Sequence, residues 1–96
     1  MKVRLDPEWK PPPSAVLVLT AENFTTVMNA QPLMLLEFYA PWCAHCQRLA
    51  PEYEGAAKDL LPLGIPLAKV DGTIEKSLAD QYGISGWPAL KVNSYL

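Results

Sequence analysis

The alternation of apolar and polar positions along the chain predicts four short strands. Residues 33–40 are apolar on both alternating faces except at Glu37, which is the pattern of a central strand covered on both sides. Three shorter apolar runs rich in Leu, Val and Ala are the other predicted strands, at residues 15–19, 67–70 and 89–93.

Helices are predicted between these strands. Thr20 would provide the N-cap hydroxyl of the first helix, and Thr73 that of a later helix that stops at Gly83. Another helix is predicted between these two, because apolar positions recur with helical spacing from residue 43 to about residue 61. The resulting order β-α-β-α-β-α-β predicts an α/β domain with parallel crossover connections.

Length and composition allow one small domain preceded by a linker. A chain of 96 residues, of which 50% are hydrophobic, is long enough for a single core. Residues 1–14 contain four prolines, three of them consecutive, and this composition favours extended polyproline geometry. We therefore expect a proline-rich linker over residues 1–14 and a domain over residues 15–96.

The charge pattern argues against nucleic acid and membrane partners. The formal net charge is −2, and the eight Lys and Arg residues are scattered rather than clustered. The apolar runs are much shorter than the roughly 20 residues that a bilayer span requires. Residues 1–10 do not read as a secretory signal and residues 93–96 do not read as a retention signal, so the sequence leaves the compartment open.

The two cysteines, Cys43 and Cys46, form one Cys-x-x-Cys pair between a predicted strand and a predicted helix. Only the thiolate is a nucleophile, and the unpaired amides at a helix N-terminus stabilise it. His45 lies between the cysteines, and its imidazolium would stabilise the Cys43 thiolate further. We predict that Cys43 attacks and that Cys46, one turn into the helix, resolves.

Two other interpretations of the cysteine pair were weighed. It could be an inert disulfide or a buried thiol pair. A structural zinc site would need four ligands, whereas this chain offers only Cys43, Cys46 and His45 among the softer types. We therefore expect no metal and no organic cofactor, only a redox-active disulfide.

Glu37 interrupts the apolar central strand, and Lys69 lies in the strand expected beside it. A buried carboxyl without a partner should have a raised pKa. Two interpretations stay open from the residues alone: a buried ion pair held for packing, or a proton acceptor for Cys46 during disulfide exchange.

Two tryptophans and a proline are candidates for substrate contact. Trp87 and Pro88 follow a Ser-Gly turn, where a cis peptide bond is plausible, although Pro88 could simply begin an edge strand. Trp42 and Trp87 could line a peptide-binding surface or be half-buried core residues.

Several motifs together closely resemble a catalytic domain of the protein disulfide isomerase family, which has the thioredoxin fold. The resemblance covers about residues 15–92, and the lead-in looks most like an internal domain of the family member with three catalytic domains. The matching segments are EFYAPWCAHC at 37–46, LAPEY at 49–53, LAKVD at 67–71 and YGISGWP at 82–88, with EWKPPP at 8–13 in the lead-in.

The resemblance implies roles for the residues already singled out. It implies Cys43 as nucleophile, Cys46 as resolving cysteine, Glu37 with Lys69 as a buried proton-transfer pair, and Pro88 as a cis-proline that faces the disulfide. Within the motif, Ala44 replaces the usual glycine, and since alanine suits a helix better, the chemistry should persist with some shift in redox poise.

The resemblance also implies that residues 15–96 are an incomplete domain. A full domain of the family continues through a final antiparallel strand and a terminal helix. The family's loop arginine that tunes the second cysteine would lie there, and neither Arg4 nor Arg48 matches it. An uncovered apolar strand surface would favour aggregation or a partner.

The predicted function is therefore thiol-disulfide oxidoreductase and isomerase activity on folding secretory proteins in the endoplasmic reticulum lumen. The partners implied by the resemblance are unfolded or misfolded polypeptides with thiols or disulfides, and glutathione or an upstream oxidase. A non-catalytic substrate-binding or inactive fragment is the alternative, and a reductase in a reducing compartment is a third.

Overall fold

The structure is a computed structural model that describes residues 14–94. Its strands are β1 (Leu17–Val18), β2 (Leu33–Tyr39), β3 (Leu67–Asp71) and β4 (Ala89–Ser94). Its helices are α1 (Phe24–Ala30), α2 (Ala44–Leu60) and α3 (Lys76–Gln81), with a 3-10 turn at Leu61–Leu63. The predicted linker over residues 1–14 lies outside the described residues except for Ser14. The predicted alternation of strands and helices is confirmed.

The four described strands form one mixed sheet in the order β1-β3-β2-β4. β3 pairs in parallel with both β1 and β2, whereas β4 pairs antiparallel with β2. The expectation of parallel crossovers throughout is therefore wrong for the last strand. Strand β3 ends opposite Tyr39 and β4 begins opposite Phe38, so the chain enters β4 at the same end of the sheet at which it leaves β3.

Two clusters of buried side chains lie on opposite faces of the sheet, because successive strand residues alternate in direction. The larger cluster packs β2 and β3 against α1 and α3, and includes Met34, Leu36 and Phe38. The smaller cluster packs Leu67 against Tyr53 and Ala57 of α2. The strand at residues 33–40 is thus covered on both faces at its centre, as its composition predicted.

The predicted cap at Thr73 is wrong, whereas the cap at Thr20 forms one turn before the described helix. The helix α1 begins at Phe24, and the Thr20 hydroxyl accepts the backbone N–H of Asn23 at 3.4 Å while the Asn23 side chain accepts that of Thr20. Thr73 donates its hydroxyl to Asp71 Oδ1 at 2.6 Å, so it closes the turn that follows β3. The threonine oxygens therefore stabilise turns upstream of the helices. Gly83 has φ 66°, which confirms its predicted left-handed conformation.

The hydroxyl of Tyr53 fastens α2 to the sheet. It lies 2.7 Å from the carbonyl oxygen of Ala68 in β3 and 3.2 Å from that of Leu35 in β2. The side chain is 5% exposed, and burial raises the pKa of its phenol, so the group stays a neutral donor. One buried group thereby fixes the helix that carries the cysteines relative to two strands.

We expect Tyr53→Phe to lower the free energy of unfolding by about 1–2 kcal/mol, because the hydrogen bond is lost while the ring still fills its place. Urea unfolding monitored by circular dichroism measures the change. Substitution of the exposed Glu52 by Gln on the same helix is the matched control. An unchanged midpoint for Tyr53→Phe would contradict this role.

Strand β4 presents apolar side chains to solvent within the described part of the chain. Leu90 pairs with Glu37 and Val92 with Leu35, so both lie on the face of the sheet that α2 covers elsewhere. They are 50% and 69% exposed. Over residues 14–94, none of the helices is long and apolar enough to cross a membrane.

Candidate active site

Cys43 stands at the junction between β2 and α2. After β2 ends at Tyr39, the backbone N–H of Cys43 donates to the carbonyl of Ala40 at 3.1 Å, which closes a tight turn. Cys43 is then the N-cap residue of α2, and its Sγ accepts a hydrogen bond from the backbone N–H of Cys46 at 3.2 Å. The sulfur thus occupies the position that a serine or aspartate oxygen takes at an ordinary helix start.

The two free thiols have opposite pKa shifts. Hydrogen bonds lower the pKa of Cys43, chiefly one from the thiol of Cys46, with further contributions from the backbone N–H groups of Cys46 and His45 and from the charge of Arg48. The pKa of Cys46 is raised, mainly by burial and then by its hydrogen bond to Cys43. Of the two thiols, Cys43 is therefore the one that loses its proton first as the pH rises.

The His45 side chain points to Arg48. The Arg48 guanidinium lies 2.7 Å from His45 Nδ1. Since arginine can only donate, Nδ1 accepts in this hydrogen bond. Arg48 contributes positive charge at Cys43, and His45 contributes its backbone N–H.

The sequence analysis gave Arg48 no role beside the cysteines and missed this contact. The signal was its position, one turn after His45 on the exposed side of α2. A polar side chain at such a position ordinarily points into solvent, so spacing alone did not separate Arg48 from the other charged residues of the helix. Its short distance to the His45 imidazole does.

We expect Arg48→Gln to raise the pKa of Cys43, because the substitution removes a cation that favours the thiolate. The pH dependence of Cys43 alkylation measures this shift. Arg48→Lys should retain much of the effect, and Lys58→Gln, near the other end of α2, should have none. Equal alkylation profiles for Arg48→Gln and the unsubstituted chain would disprove the contribution.

Glu37 lies beneath the cysteines in the centre of the sheet. It is 4% exposed, and burial raises the pKa of its carboxyl, while the charge of Lys69 opposes that rise. Glu37 and Lys69 are register partners on β2 and β3, as predicted. The Lys69 ammonium lies 5.6 Å from the centre of the Tyr39 ring, a cation-π geometry.

A small cleft lies between these groups and Cys46. It has a volume of about 130 Å³ and is lined by Glu37, Lys69, Cys46 and Gln47 among others. This volume is enough for several water molecules beside the carboxyl and the thiol.

The three candidate substrate-contact residues differ in exposure. Trp42 is 71% exposed beside Cys43 and is therefore not a half-buried core residue. Trp87 is partly buried and packs against the cluster of Ala40, Cys43 and Cys46. The peptide bond between Trp87 and Pro88 is cis, as predicted. Because β4 begins opposite Phe38, near the end of β2, the fold brings this loop to the cysteines.

Within residues 14–94, no group of three or more His, Cys, Asp or Glu side chains is arranged to hold a metal ion.

A buried Cys-x-x-Cys pair at the start of a helix, with a cis-proline loop beside it, on this mixed sheet defines the thioredoxin class. The family model named Thioredoxin matches residues 15–94, and the chain belongs to that family.

Within the family, the chain is similar to protein disulfide-isomerases. It is 57% identical to human protein disulfide-isomerase A4 over 88 residues, which are 90% of this chain and 14% of that protein. A probable protein disulfide-isomerase A4 of Caenorhabditis elegans is 54% identical over 91 residues, 93% of this chain and 15% of that protein. The chain thus spans about one seventh of these relatives.

A solved structure agrees with the sequence relatives. The first thioredoxin domain of mouse protein disulfide-isomerase A4 superposes with a TM-score of 0.80 at 36% identity, covering 97% of this chain and 69% of that one. The predicted fold class and the predicted resemblance are confirmed.

Proposed function

We propose that this chain catalyses thiol-disulfide exchange, forming and rearranging disulfides in folding polypeptides. The observation that carries the proposal is the position of Cys43 at the N-cap of α2, where its Sγ accepts the backbone N–H of Cys46 beside the cis-proline loop. In this arrangement the pKa of Cys43 is lowered and that of Cys46 is raised. A thiol with a lowered pKa is both a ready nucleophile and a good leaving group, whereas a buried thiol with a raised pKa waits for a proton acceptor. An inert buried pair would not require two thiols whose pKa values are shifted in opposite directions.

In the oxidising direction, a substrate thiolate attacks Cys43 Sγ of the Cys43–Cys46 disulfide. The bond between the two protein sulfurs breaks, and its electron pair leaves on Cys46, which takes up a proton. A second substrate thiolate then attacks the substrate sulfur of the mixed disulfide. Cys43 leaves as its stabilised thiolate, so the substrate gains a disulfide and the chain becomes a dithiol.

In the isomerising direction, the Cys43 thiolate attacks a substrate disulfide and releases one substrate thiolate. That thiolate attacks a different substrate disulfide, and the substrate thiolate released there attacks the substrate sulfur bound to Cys43. Cys43 then leaves as its thiolate, and the net oxidation state does not change. If the rearrangement stalls, Cys46 loses its proton and attacks Cys43 Sγ, which releases the substrate in reduced form.

Glu37 is proposed to move the proton of Cys46 in both directions. Its raised pKa keeps the carboxyl close to the range in which it can both accept and return a proton. The cleft that both groups line gives water access to them. The charge of Lys69 is proposed to limit the rise in the Glu37 pKa, so that the carboxylate remains available as a base.

An extended peptide is the proposed substrate. Trp42 offers an exposed apolar surface on one side of Cys43, and the loop of Trp87 and Pro88 borders the cysteines on the other. Backbone pairing with the residue before the proline would hold a peptide in strand geometry, so the site would recognise chain conformation more than a particular side chain.

The cellular setting follows from the resemblance to protein disulfide-isomerases. We propose the endoplasmic reticulum lumen as the compartment, secretory polypeptides as clients, and glutathione or an upstream oxidase as the agent that restores the disulfide. The role of His45 in this cycle is proposed to be structural, since its ring accepts from Arg48 and its backbone N–H faces Cys43.

The test is single-turnover oxidation of a two-cysteine peptide by the oxidised 96-residue chain, followed by mass spectrometry of both products. We expect the peptide to lose two hydrogens while the chain gains two, at a rate well above that of the peptide alone. A peptide of the same sequence with serines in place of cysteines is the control for binding. Binding of both peptides without any exchange would favour the non-catalytic substrate-binding alternative and contradict the proposal.

A further inference from the structure

Gly72 lies in the turn after β3, at the edge of the sheet where the cysteines are. It is buried, and its backbone N–H donates to the carbonyl of Tyr39 at 3.0 Å. Tyr39 is the last residue of β2, four positions before Cys43. The backbone of Gly72 is therefore tied to the strand that leads into the active site and has little freedom to move.

The indole of Trp87 occupies the space where a side chain at position 72 would stand. A Cβ built on Gly72 would overlap the Cζ3 and Cη2 atoms of the indole. Gly72 is not among the glycines with positive φ, so its backbone conformation is open to other residues. The requirement for glycine at this position is thus a requirement for space, imposed by one side chain.

The Trp87 side chain also contacts the residues around the two cysteines. Its ring packs against the cluster of Ala40, Cys43 and Cys46 and against the larger core cluster. The next residue, Pro88, follows the cis bond and leads into β4. How deeply the indole sits over Gly72 therefore sets where the loop of Trp87 and Pro88 lies relative to Cys43.

We propose that Gly72 is a positioning residue that, by having no side chain, seats the Trp87 indole and thereby sets the specificity of the site for extended peptides. Gly72 and Trp87 form a complementary pair, in which a larger residue at one position demands a smaller one at the other. This inference rests on the proposed function, because it concerns the loop proposed to bind the peptide. Gly72 itself touches neither substrate nor the reacting sulfurs.

The test compares two disulfide substrates with the reduced 96-residue chain: a labelled peptide with one internal disulfide, and oxidised glutathione. We expect Gly72→Ala to lower the second-order rate constant for single-turnover reduction of the peptide about tenfold, mainly through weaker peptide binding, since the displaced indole moves the peptide-binding loop. The rate with oxidised glutathione should stay within about twofold, because that molecule needs little of the loop.

Compensation distinguishes positioning from a general loss of structure. Phenylalanine lacks the second ring, so in Trp87→Phe the space over position 72 is open. The double variant Gly72→Ala with Trp87→Phe should therefore match Trp87→Phe alone, although the same alanine is harmful beside Trp87. Gly55→Ala, where a Cβ meets nothing within 4 Å, is the matched glycine control.

Every result of the two-substrate and double-variant measurements either supports or overturns the proposed pair of Gly72 and Trp87. A peptide-specific loss in Gly72→Ala that disappears in the double variant supports the pair, and so does a Gly72→Ala chain that fails to fold while the double variant folds. Full peptide activity in Gly72→Ala, an equal loss with both substrates, or no recovery in the double variant overturns it. If the unsubstituted chain reacts with neither substrate, the proposed function itself fails, and this inference fails with it.

Discussion

Replacement of Cys43 by serine is expected to abolish disulfide exchange, with a loss of at least about a thousandfold in kcat/KM for any disulfide substrate. A serine oxygen can still accept the hydrogen bond from the Cys46 N–H that caps α2, so the helix start should survive. It cannot form a mixed disulfide. The measurement is reduction of a peptide disulfide, with circular dichroism to show that the variant folds.

The matched variant is Cys46→Ser, which separates attack from resolution. Serine at 46 keeps both hydrogen bonds to Cys43 Sγ, one from the backbone N–H and one from the hydroxyl, so Cys43 should remain reactive. The mixed disulfide should then accumulate, and non-reducing electrophoresis detects it. If Cys43→Ser traps substrate and Cys46→Ser does not, the assignment of nucleophile and resolving cysteine is reversed.

Glu37→Gln is expected to slow the resolving step by about a hundredfold, because the amide cannot accept the Cys46 proton. Formation of the mixed disulfide at Cys43 should be little changed. A rapid-mixing experiment that follows both steps with a peptide disulfide measures the two rates separately. The deficit should shrink as the pH rises, because hydroxide then removes the proton. Equal loss in both steps, or none in the second, would refute the proton-transfer role.

Glu37→Gln should also change how the free energy of unfolding depends on pH. Burial raises the pKa of Glu37 above its ordinary value of 4.5. Between the unfolded and folded pKa values the folded state therefore binds more protons, so stability falls as the pH rises through that range. Unfolding by urea should show this decline in the unsubstituted chain but not in Glu37→Gln. Glu52→Gln, on an exposed part of α2, should leave the decline intact.

The centre of the fold could be predicted because its residue pattern admits few alternatives. A run as apolar as that of residues 33–39 is typical of a strand inside a sheet, and Glu37 within it could be recognised as a buried carboxyl. A Cys-x-x-Cys pair between such a strand and a helix likewise restricts the site. The direction of β4 could not be predicted, since alternation along a strand contains no information about its orientation relative to a neighbour.

The polar partner that a side chain meets is the part that the sequence could not give. Thr73 has good capping chemistry, but its hydroxyl closes the turn after β3 instead. His45 was predicted to act through its charge, and the structure places its ring beside Arg48 and its backbone N–H towards Cys43. Each depended on which of several equally suitable polar partners a side chain meets, and only three-dimensional geometry decides that.

The most direct test of the central claim is site-resolved alkylation of the reduced, unsubstituted chain as a function of pH, with mass spectrometry to separate Cys43 from Cys46. Circular dichroism on the same samples establishes the folded state. The account predicts that Cys43 reacts with a midpoint clearly below that of an ordinary cysteine, while Cys46 reacts only at higher pH. A folded chain in which both thiols titrate like free cysteines, or in which Cys46 reacts first, would contradict it.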